Sequence, residues 1–309
     1  MKLYWNFYPS RDILSLVRNK KQRKIMFWLA IGSVILFLGL MVEFVIYRYT
    51  TNRSVMFKTE DGSLQIYRDR KWQDFIAAGA VINTGKTGYS ADTGITKDEY
   101  KRWFRELTAL DTNVVRVNGI QPPAFYQAFF EYNMLTNKPL YLLHGIYIED
   151  YNVEYYKDAY ADQLLTDYFE EIRRTVDVIH GSAVIKARIG YASGTYNMNI
   201  SPYVMGFALG REMDSDFIAV TNEKNTQVIG FEGDYLYTEN ATPYEAWLAG
   251  TGNYVISYEQ DKYRGSYKLI NLGDVNLNHL RTTEKFNAKI YVSRDDFPVF
   301  PELAGFKNN

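Results

Sequence analysis

The stretch PYVMGFALGREMD (residues 202–214) joins an apolar run to an abrupt charged ending. Residues 204–209 carry no polar side chain, which is typical of a strand buried on both faces of a parallel sheet. Glu212 follows where such a strand would leave the sheet. We therefore predict a parallel strand that presents the carboxylate of Glu212 at its C-terminal end. A surface carboxylate after an ordinary core strand is the alternative.

Strand-like and helical segments alternate around this stretch. The predicted strands are residues 75–82, 113–117, 140–146, 204–209, 268–271 and 286–293. The predicted helices are residues 97–110, 124–134, 161–179 and 244–263, and Thr96 and Glu99 form a capping box at the start of the first. Strands that alternate with helices predict an α/β fold with a covered parallel sheet.

Residues 25–47, IMFWLAIGSVILFLGLMVEFVIY, are long and apolar enough to span a bilayer as a helix. Basic residues crowd the N-terminal side of this run: Arg18, Lys20, Lys21, Arg23 and Lys24. The positive-inside rule then places the N-terminus in the cytoplasm and the rest of the chain outside. A cleaved signal peptide is the alternative.

The predicted organisation follows from this span. Residues 1–24 form a basic cytoplasmic segment, 25–47 a transmembrane helix in contact with lipid, and 48–74 a stalk or short strand pair. Residues 75–309 form an extracellular domain. The protein is thus predicted to be a single-pass protein of the cell membrane.

Composition excludes several classes of function. The 309-residue chain has a formal net charge of −1, which argues against nucleic acid as a partner. It has no cysteine, so disulfides and thiol nucleophiles are excluded. Its three histidines lack metal-ligand spacing, and no P-loop or dinucleotide-binding glycine motif is present, so we predict neither a metal nor another cofactor. The 27 tyrosines favour a carbohydrate ligand weakly, because aromatic faces stack on sugar rings.

Four segments together carry a resemblance to a known family. They are residues 81–133, 139–150 (PLYLLHGIYIED), 189–212 (IGYASGTYNMNISPYVMGFALGRE) and 242–263 (TPYEAWLAGTGNYVISYEQDKY). In sequence and order they resemble bacterial clan A glycoside-hydrolase-like barrels, related to the barrel domain of family 2 glycosidases. Some relatives occur with processive glycosyltransferases that make exopolysaccharide. The resemblance covers about residues 75–306 and implies a (β/α)8 TIM-barrel-like fold.

The family pattern also implies roles for single residues. Glu212 matches the strand-4 acid/base, Arg116 a strand-2 arginine near the active site, and His144 a strand-3 histidine of a sugar subsite. For His144 the alternative is a hydrogen-bonded residue at a strand end. Clan A enzymes usually place asparagine before the acid/base, where this chain has Arg211.

Further candidates for sugar contact come from the loops that follow the predicted strands. Tyrosine rings there could stack on sugars, and core or loop packing is their alternative: Tyr89, Tyr147, Tyr191 and Tyr196. Asp274, in a polar cluster after the fifth predicted strand, could accept hydrogen bonds from hydroxyl groups. A solvated loop is the alternative for that cluster.

The C-terminus departs from the family. Clan A enzymes carry a nucleophile glutamate at the end of strand 7, but the tail after residue 293 is too short for two more strands and helices. The resemblance thus implies a barrel that is incomplete before strand 7. A compact complete barrel with another strand assignment is the alternative.

These observations favour a membrane-anchored glycoside hydrolase or transglycosylase that acts on an extracellular β-glycan, with Glu212 as general acid/base. A catalytically degenerate polysaccharide-binding or assembly factor, partnered with a membrane glycosyltransferase, is one alternative. A fragment of an interrupted gene is another. The expected ligand in the first two cases is a polysaccharide or oligosaccharide.

Overall fold

A computed structural model describes residues 20–51, 56–60, 63–82, 94–188, 190–209, 213, 215–265, 268–271 and 280–282. The chain divides into two compact units, Met1–Asn52 and Arg53–Asn309. In the first unit, helix α1 (Lys20–Thr51) contains an apolar stretch, Lys24–Glu43, long enough to cross a membrane. A signal sequence near the N-terminus can also meet this criterion of length and composition. The predicted apolar helix is confirmed, whereas its insertion and orientation stay predictions.

The second unit holds the remaining elements. Its strands are β1 (Phe57–Glu60), β2 (Ser63–Arg68), β3 (Lys71–Asp74), β4 (Gly79–Val81), β5 (Val114–Val117), β6 (Tyr141–Ile146), β7 (Ala183–Ile185), β8 (Gly194–Tyr196), β9 (Val204–Leu209), β10 (Leu236–Thr238), β11 (Leu269–Asn271) and β12 (Leu280–Thr282). Its helices are α2 (Lys97–Ala109), α3 (Pro123–Leu135), α4 (Asp150–Tyr156), α5 (Asp162–Ile179), α6 (Ser215–Lys224) and α7 (Pro243–Tyr263).

Five strands form one parallel sheet in the order β4-β5-β6-β9-β11. Each new strand is therefore added on the same side of the previous one, without the reversal that marks a doubly wound sheet. Among the described residues the sheet is open, with β4 and β11 at its edges. The α/β fold and its parallel sheet are confirmed, and closure into a barrel stays a prediction. The sixth predicted strand, residues 286–293, lies outside the described residues.

The helices pack on a single face of this sheet. Strand residues Val115, Leu142 and Phe207 share one buried core with side chains of α2, α3, α5, α6 and α7. The helix residues in that core include Phe104, Phe129, Ile172, Phe217 and Val255. Capping boxes at Thr96 and Thr242 start α2 and α7, as predicted for the first of them. A sheet wound in one direction and covered by helices on one face is how successive units of a (β/α)8 barrel are arranged.

The opposite face packs against the antiparallel sheet β1-β2-β3. Phe57 and Ile66 of that small sheet share a second core with Val114 and Leu143 of the parallel sheet. The rings of Phe57 and Tyr141 meet edge to face, with centroids 4.9 Å apart. Residues 57–74, predicted to be a stalk or a strand pair, thus form three strands that pack beside the first residues of β5 and β6. The domain boundary at residue 75 stays a prediction.

Candidate functional site

The loops that leave β5 and β6 meet at the C-terminal edge of the parallel sheet. A Cβ atom at Gly145 would lie 2.5 Å from the carbonyl oxygen of Asn118, and one at Gly119 would lie 3.2 Å from the Cβ of Tyr147. Only glycine at position 145 permits the first of these approaches without a backbone shift. The segment after β5 is therefore held directly against the end of β6.

A cavity of about 530 Å³ opens beside these loops. A smaller cavity of about 140 Å³ adjoins the same side chains. Both are lined by Tyr147, Glu171, Arg188 and Tyr191, and we call the two together the cleft. The walls come from the loops after β5 and β6, from α5, and from the segment around β7 and β8. Pockets at the carboxyl ends of parallel strands are the usual place for ligands in α/β proteins.

Charged groups in the cleft are arranged around Glu171. Glu171 is 9% exposed, and its Oε2 atom accepts hydrogen bonds from Arg174 at 3.3 Å and from Arg188 at 3.5 Å. The guanidinium of Arg188 also lies over the ring of Tyr191, with its carbon 4.2 Å from the centroid. Arg174 pairs in addition with Glu170. Opposite charges and an aromatic face thus fix the orientation of these side chains.

Glu149 lines the smaller cavity, three residues beyond the end of β6. Burial raises the pKa of Glu149 above its ordinary value of 4.5, against the opposing charge of Arg188. Nearby, the amide of Asn152 donates to Asp167 at 2.9 Å, which ties α4 to α5. The cleft therefore contains two carboxyl groups in different environments. Burial disfavours the charged form of Glu149, whereas Glu171 is ion-paired with arginine side chains.

His144 lies in the core on the helix side of the sheet. Its Nδ1 donates to the carbonyl of Gly145 at 2.7 Å, because that oxygen can only accept, and its Nε2 then accepts from the hydroxyl of Tyr126 at 2.7 Å. Burial lowers the pKa of His144 to about 4, so the ring is neutral. Its side chain has no exposed surface. A sugar-binding role stays a prediction, and the geometry favours the alternative of a hydrogen-bonded strand residue.

Tyr196 belongs to the same buried network. Its hydroxyl donates to the carbonyl of Gln121 at 3.0 Å, and its ring meets that of Tyr126 edge to face at 5.4 Å. The residue is 2% exposed, and burial raises its pKa well above 10.0. This geometry favours core packing over stacking on a sugar, although Tyr147 and Tyr191, from the same set of loop tyrosines, do line the cleft.

Arg116 lies on the other face of the sheet from His144. It is in register with Leu143 on β6, whereas His144 is in register with Val117. Because successive residues of a strand point to opposite faces, Arg116 shares its face with Val114, which packs in the second core. Among the described residues its buried Nε atom has no hydrogen-bond partner. The structure thus does not bring Arg116 and His144 together.

Two of the five predicted site residues, Glu212 and Asp274, lie outside the described residues, as does Tyr89. Their roles stay predictions. Within the described ranges, no group of three His, Asp or Glu side chains is arranged to hold a metal ion.

The charged residues of the cleft were not predicted from the sequence. Glu171 lies on a helix whose apolar spacing accounts for its neighbours, and Arg188 lies in a segment without a regular pattern. One feature of the sequence indicates a carboxylate in the cleft. The segment PLYLLHGIYIED ends in two carboxylates shortly after a buried strand, as the segment before Glu212 is predicted to do. Its position after that strand marks Glu149 as a candidate in the same way.

The chain was compared with protein families, curated proteins and solved structures. No family model and no curated protein matches the chain. Among solved structures, the chain is similar to the crystal structure of a Parabacteroides merdae β-glucuronidase with glycerol in its active site, at 10% sequence identity and a TM-score of 0.36. The match covers 70% of this chain and 20% of that one, so the chain spans about a fifth of the length of the enzyme.

Proposed function

We propose that the second unit is a glycoside-hydrolase-like domain that binds an extracellular β-glycan in the cleft, with α1 as its membrane anchor. The observation that carries the proposal is the cleft itself, at the C-terminal ends of β5 and β6. Tyr147 and Tyr191 supply aromatic surface for sugar rings, and Arg188 and Glu171 supply groups that hydrogen-bond to hydroxyls. The one-directional sheet supports the barrel-like fold that the resemblance implies.

The proposed chemistry assigns general acid/base catalysis to Glu212. β9 pairs with β6 in parallel up to Leu209 opposite Ile146, and Glu212 is the third residue beyond that pair. As an acid, Glu212 would protonate the glycosidic oxygen while the leaving group departs. As a carboxylate, it would then activate water. A retaining reaction needs a second carboxylate about 5 Å from the first.

A glycan-binding or assembly factor beside a membrane glycosyltransferase is the second candidate, and one observation favours it. The Oε2 atom of Glu171 already accepts from both Arg174 and Arg188. This arrangement suits a group that orients hydroxyls, because two guanidinium groups already fix the position of the carboxylate. The described part of the cleft is thus equipped for binding.

The test uses the 309-residue chain purified in detergent, with a panel of β-linked polysaccharides. Binding is measured by affinity gel electrophoresis and hydrolysis by the release of reducing ends. Hydrolysis that falls at least a hundredfold in Glu212→Gln, with binding retained, supports the enzyme. Binding without hydrolysis in both proteins supports the assembly factor. Absence of binding to every member of the panel contradicts both.

A further inference from the structure

Helix α4 carries two exposed aromatic rings, those of Tyr151 and Tyr155. Each residue is 66% exposed. The rings are nearly parallel, at 14°, with centroids 5.5 Å apart, and Tyr156 packs edge-on against Tyr155 at 4.9 Å. Exposed aromatic rings that are grouped in this way often mark a binding surface, whereas scattered apolar residues do not.

The helix beneath the pair is firmly attached and borders the cleft. Val153 of α4 packs in the main core, and Asn152 is buried and holds Asp167. Asn152 also lines the smaller cavity, as does Tyr147, which lies four residues before Tyr151. The aromatic pair is therefore a fixed surface next to the cleft.

The charge around the pair restricts what it can bind. Asp150, Glu154 and Asp158 lie on or next to α4, against one base, Lys157. An anionic membrane surface or a nucleic acid would be repelled here, because both attract basic segments. A neutral, hydroxyl-rich chain fits better, since sugar rings stack on aromatic faces and hydroxyls donate to carboxylates.

We propose that Tyr151 and Tyr155 form an accessory surface for the part of a polysaccharide chain that extends beyond the cleft. This inference rests on the proposed glycan-binding function and deepens it. It assigns the cleft to a long polymer, because neither ring lines either cavity and a ligand confined to the cleft would not reach them. Tyr147 and Tyr191 then hold the sugars inside, and the α4 pair holds those outside.

The test compares the 309-residue chain with a Tyr151→Ala/Tyr155→Ala variant. The ligands are the polymer that binds best in the panel and the short oligosaccharides cut from it. We expect the polymer to bind about tenfold more weakly to the variant, because two ring contacts are lost, and the oligosaccharides to bind within about twofold of the unmodified protein. Tyr67→Ala, which removes a partly exposed tyrosine that packs against Trp72 on the small antiparallel sheet, is the matched control.

Several outcomes would overturn the inference. Unchanged polymer binding would remove the pair from recognition while the glycan-binding function stands, provided that Tyr191→Ala weakens binding of both ligands. An equal loss for polymer and oligosaccharide would place the pair inside the primary site. If the variant binds the polymer normally but loses binding to lipid vesicles, the pair contacts lipid instead. If it loses self-association, the pair contacts a second copy of the chain. If no glycan binds the unmodified chain, the proposed glycan-binding function is contradicted, and the inference about the α4 pair falls with it.

Discussion

Arg188 lies over the aromatic ring of Tyr191, with its guanidinium carbon 4.2 Å from the ring centroid. The same guanidinium reaches the carboxylate of Glu171 at 3.5 Å. A cation–π contact and an ion pair therefore fix one planar group between an aromatic ring and a carboxylate. Through Arg188, the segment between β7 and β8 is connected to α5 across the cleft.

Replacement of Arg188 by alanine is expected to weaken glycan binding about tenfold, because Tyr191 and Glu171 lose the group that orients them. Arg188→Lys keeps the charge without the planar fork and should recover only part of the affinity. Isothermal titration calorimetry with the best-bound glycan measures both. Arg102→Ala, at an exposed i,i+4 ion pair on α2, is the control, and equal affinities for all three variants would show that Arg188 is not part of the site.

Glu149→Gln is expected to stabilise the protein at neutral pH. Burial raises the folded-state pKa of Glu149, so the folded chain binds the proton more tightly than the unfolded chain does. The unfolding free energy therefore falls as pH rises from below 4.5 through the raised pKa. The glutamine variant lacks this fall, so it should exceed the unmodified protein in stability at pH 7 and match it at low pH.

Urea unfolding at the two pH values measures the Glu149 difference. A variant that is less stable than the unmodified protein at pH 7 would contradict the prediction. If Glu149→Gln is more stable but binds glycan more weakly, Glu149 contributes to binding at the expense of stability, as residues of functional sites often do.

His144 is expected to make the protein sensitive to mild acid. Its folded-state pKa of about 4 lies below the ordinary value of 6.5, so the folded chain binds the proton less tightly than the unfolded chain. Stability is then fully present above pH 6.5 and is lost as pH falls towards 4, by about 3 kcal/mol in total. His144→Gln should remove most of this dependence.

The control for His144 is Tyr126→Phe, which deletes the hydroxyl that donates to Nε2 at 2.7 Å. It should lower the unfolding free energy by about 1–3 kcal/mol at pH 7, because a buried acceptor loses its partner. Its acid sensitivity should remain, since the imidazole is still buried. Identical pH profiles for the glutamine variant and the unmodified protein would exclude His144 as the source of the dependence.

Lys268→Met is expected to destabilise the protein by about 3–5 kcal/mol, because it leaves the carboxylate of Glu259 buried with less compensation. The amino group of Lys268 is ion-paired with the carboxylate of Glu259, and the two residues are 3% and 2% exposed. His180 donates to the same carboxylate at 2.9 Å. Burial alone would raise the pKa of Glu259, but Lys268 and His180 hold it below its ordinary value. Chemical denaturation measures the loss.

Two variants separate this buried ion pair from an ordinary surface pair. Lys262→Met removes a half-exposed lysine that pairs with Asp177 and should change stability by less than about 1 kcal/mol. The double variant Glu259→Gln/Lys268→Met should lose less unfolding free energy than the two single variants lose together. Both charges of the pair are absent from the double variant, so neither is left buried without its partner. Additive losses would argue against coupling.

The parallel sheet was predictable because its strands are short, mainly apolar runs and because two of the helices between them, α2 and α5, are strongly amphipathic. All five predicted strands that fall on described residues exist, and α2 begins at its predicted capping box. The antiparallel sheet β1-β2-β3 was only partly predicted, since its polar outward residues resemble a linker. Strands β7 and β8 have three residues each, too few to show a pattern.

The site was harder to predict than the fold because it depends on contacts between distant segments. The family pattern indicated His144, and its place after a predicted strand indicated Tyr196. Both side chains contact Tyr126 of α3 in the buried core, and sequence spacing does not reveal that contact. Glu171 becomes buried beside Arg188 only once the segment after α5 folds back over that helix. Chemistry that depends on such tertiary contacts needs the structure.

The close approach between Gly145 and Asn118 affects how the cleft would meet a ligand. With a Cβ position 2.5 Å from the Asn118 carbonyl, the loop after β5 has almost no room to shift against the end of β6. That part of the wall has lost its conformational entropy during folding, before any sugar arrives. Association should therefore carry a small ordering penalty on the protein side, and most of the entropy lost on binding should come from the glycan chain.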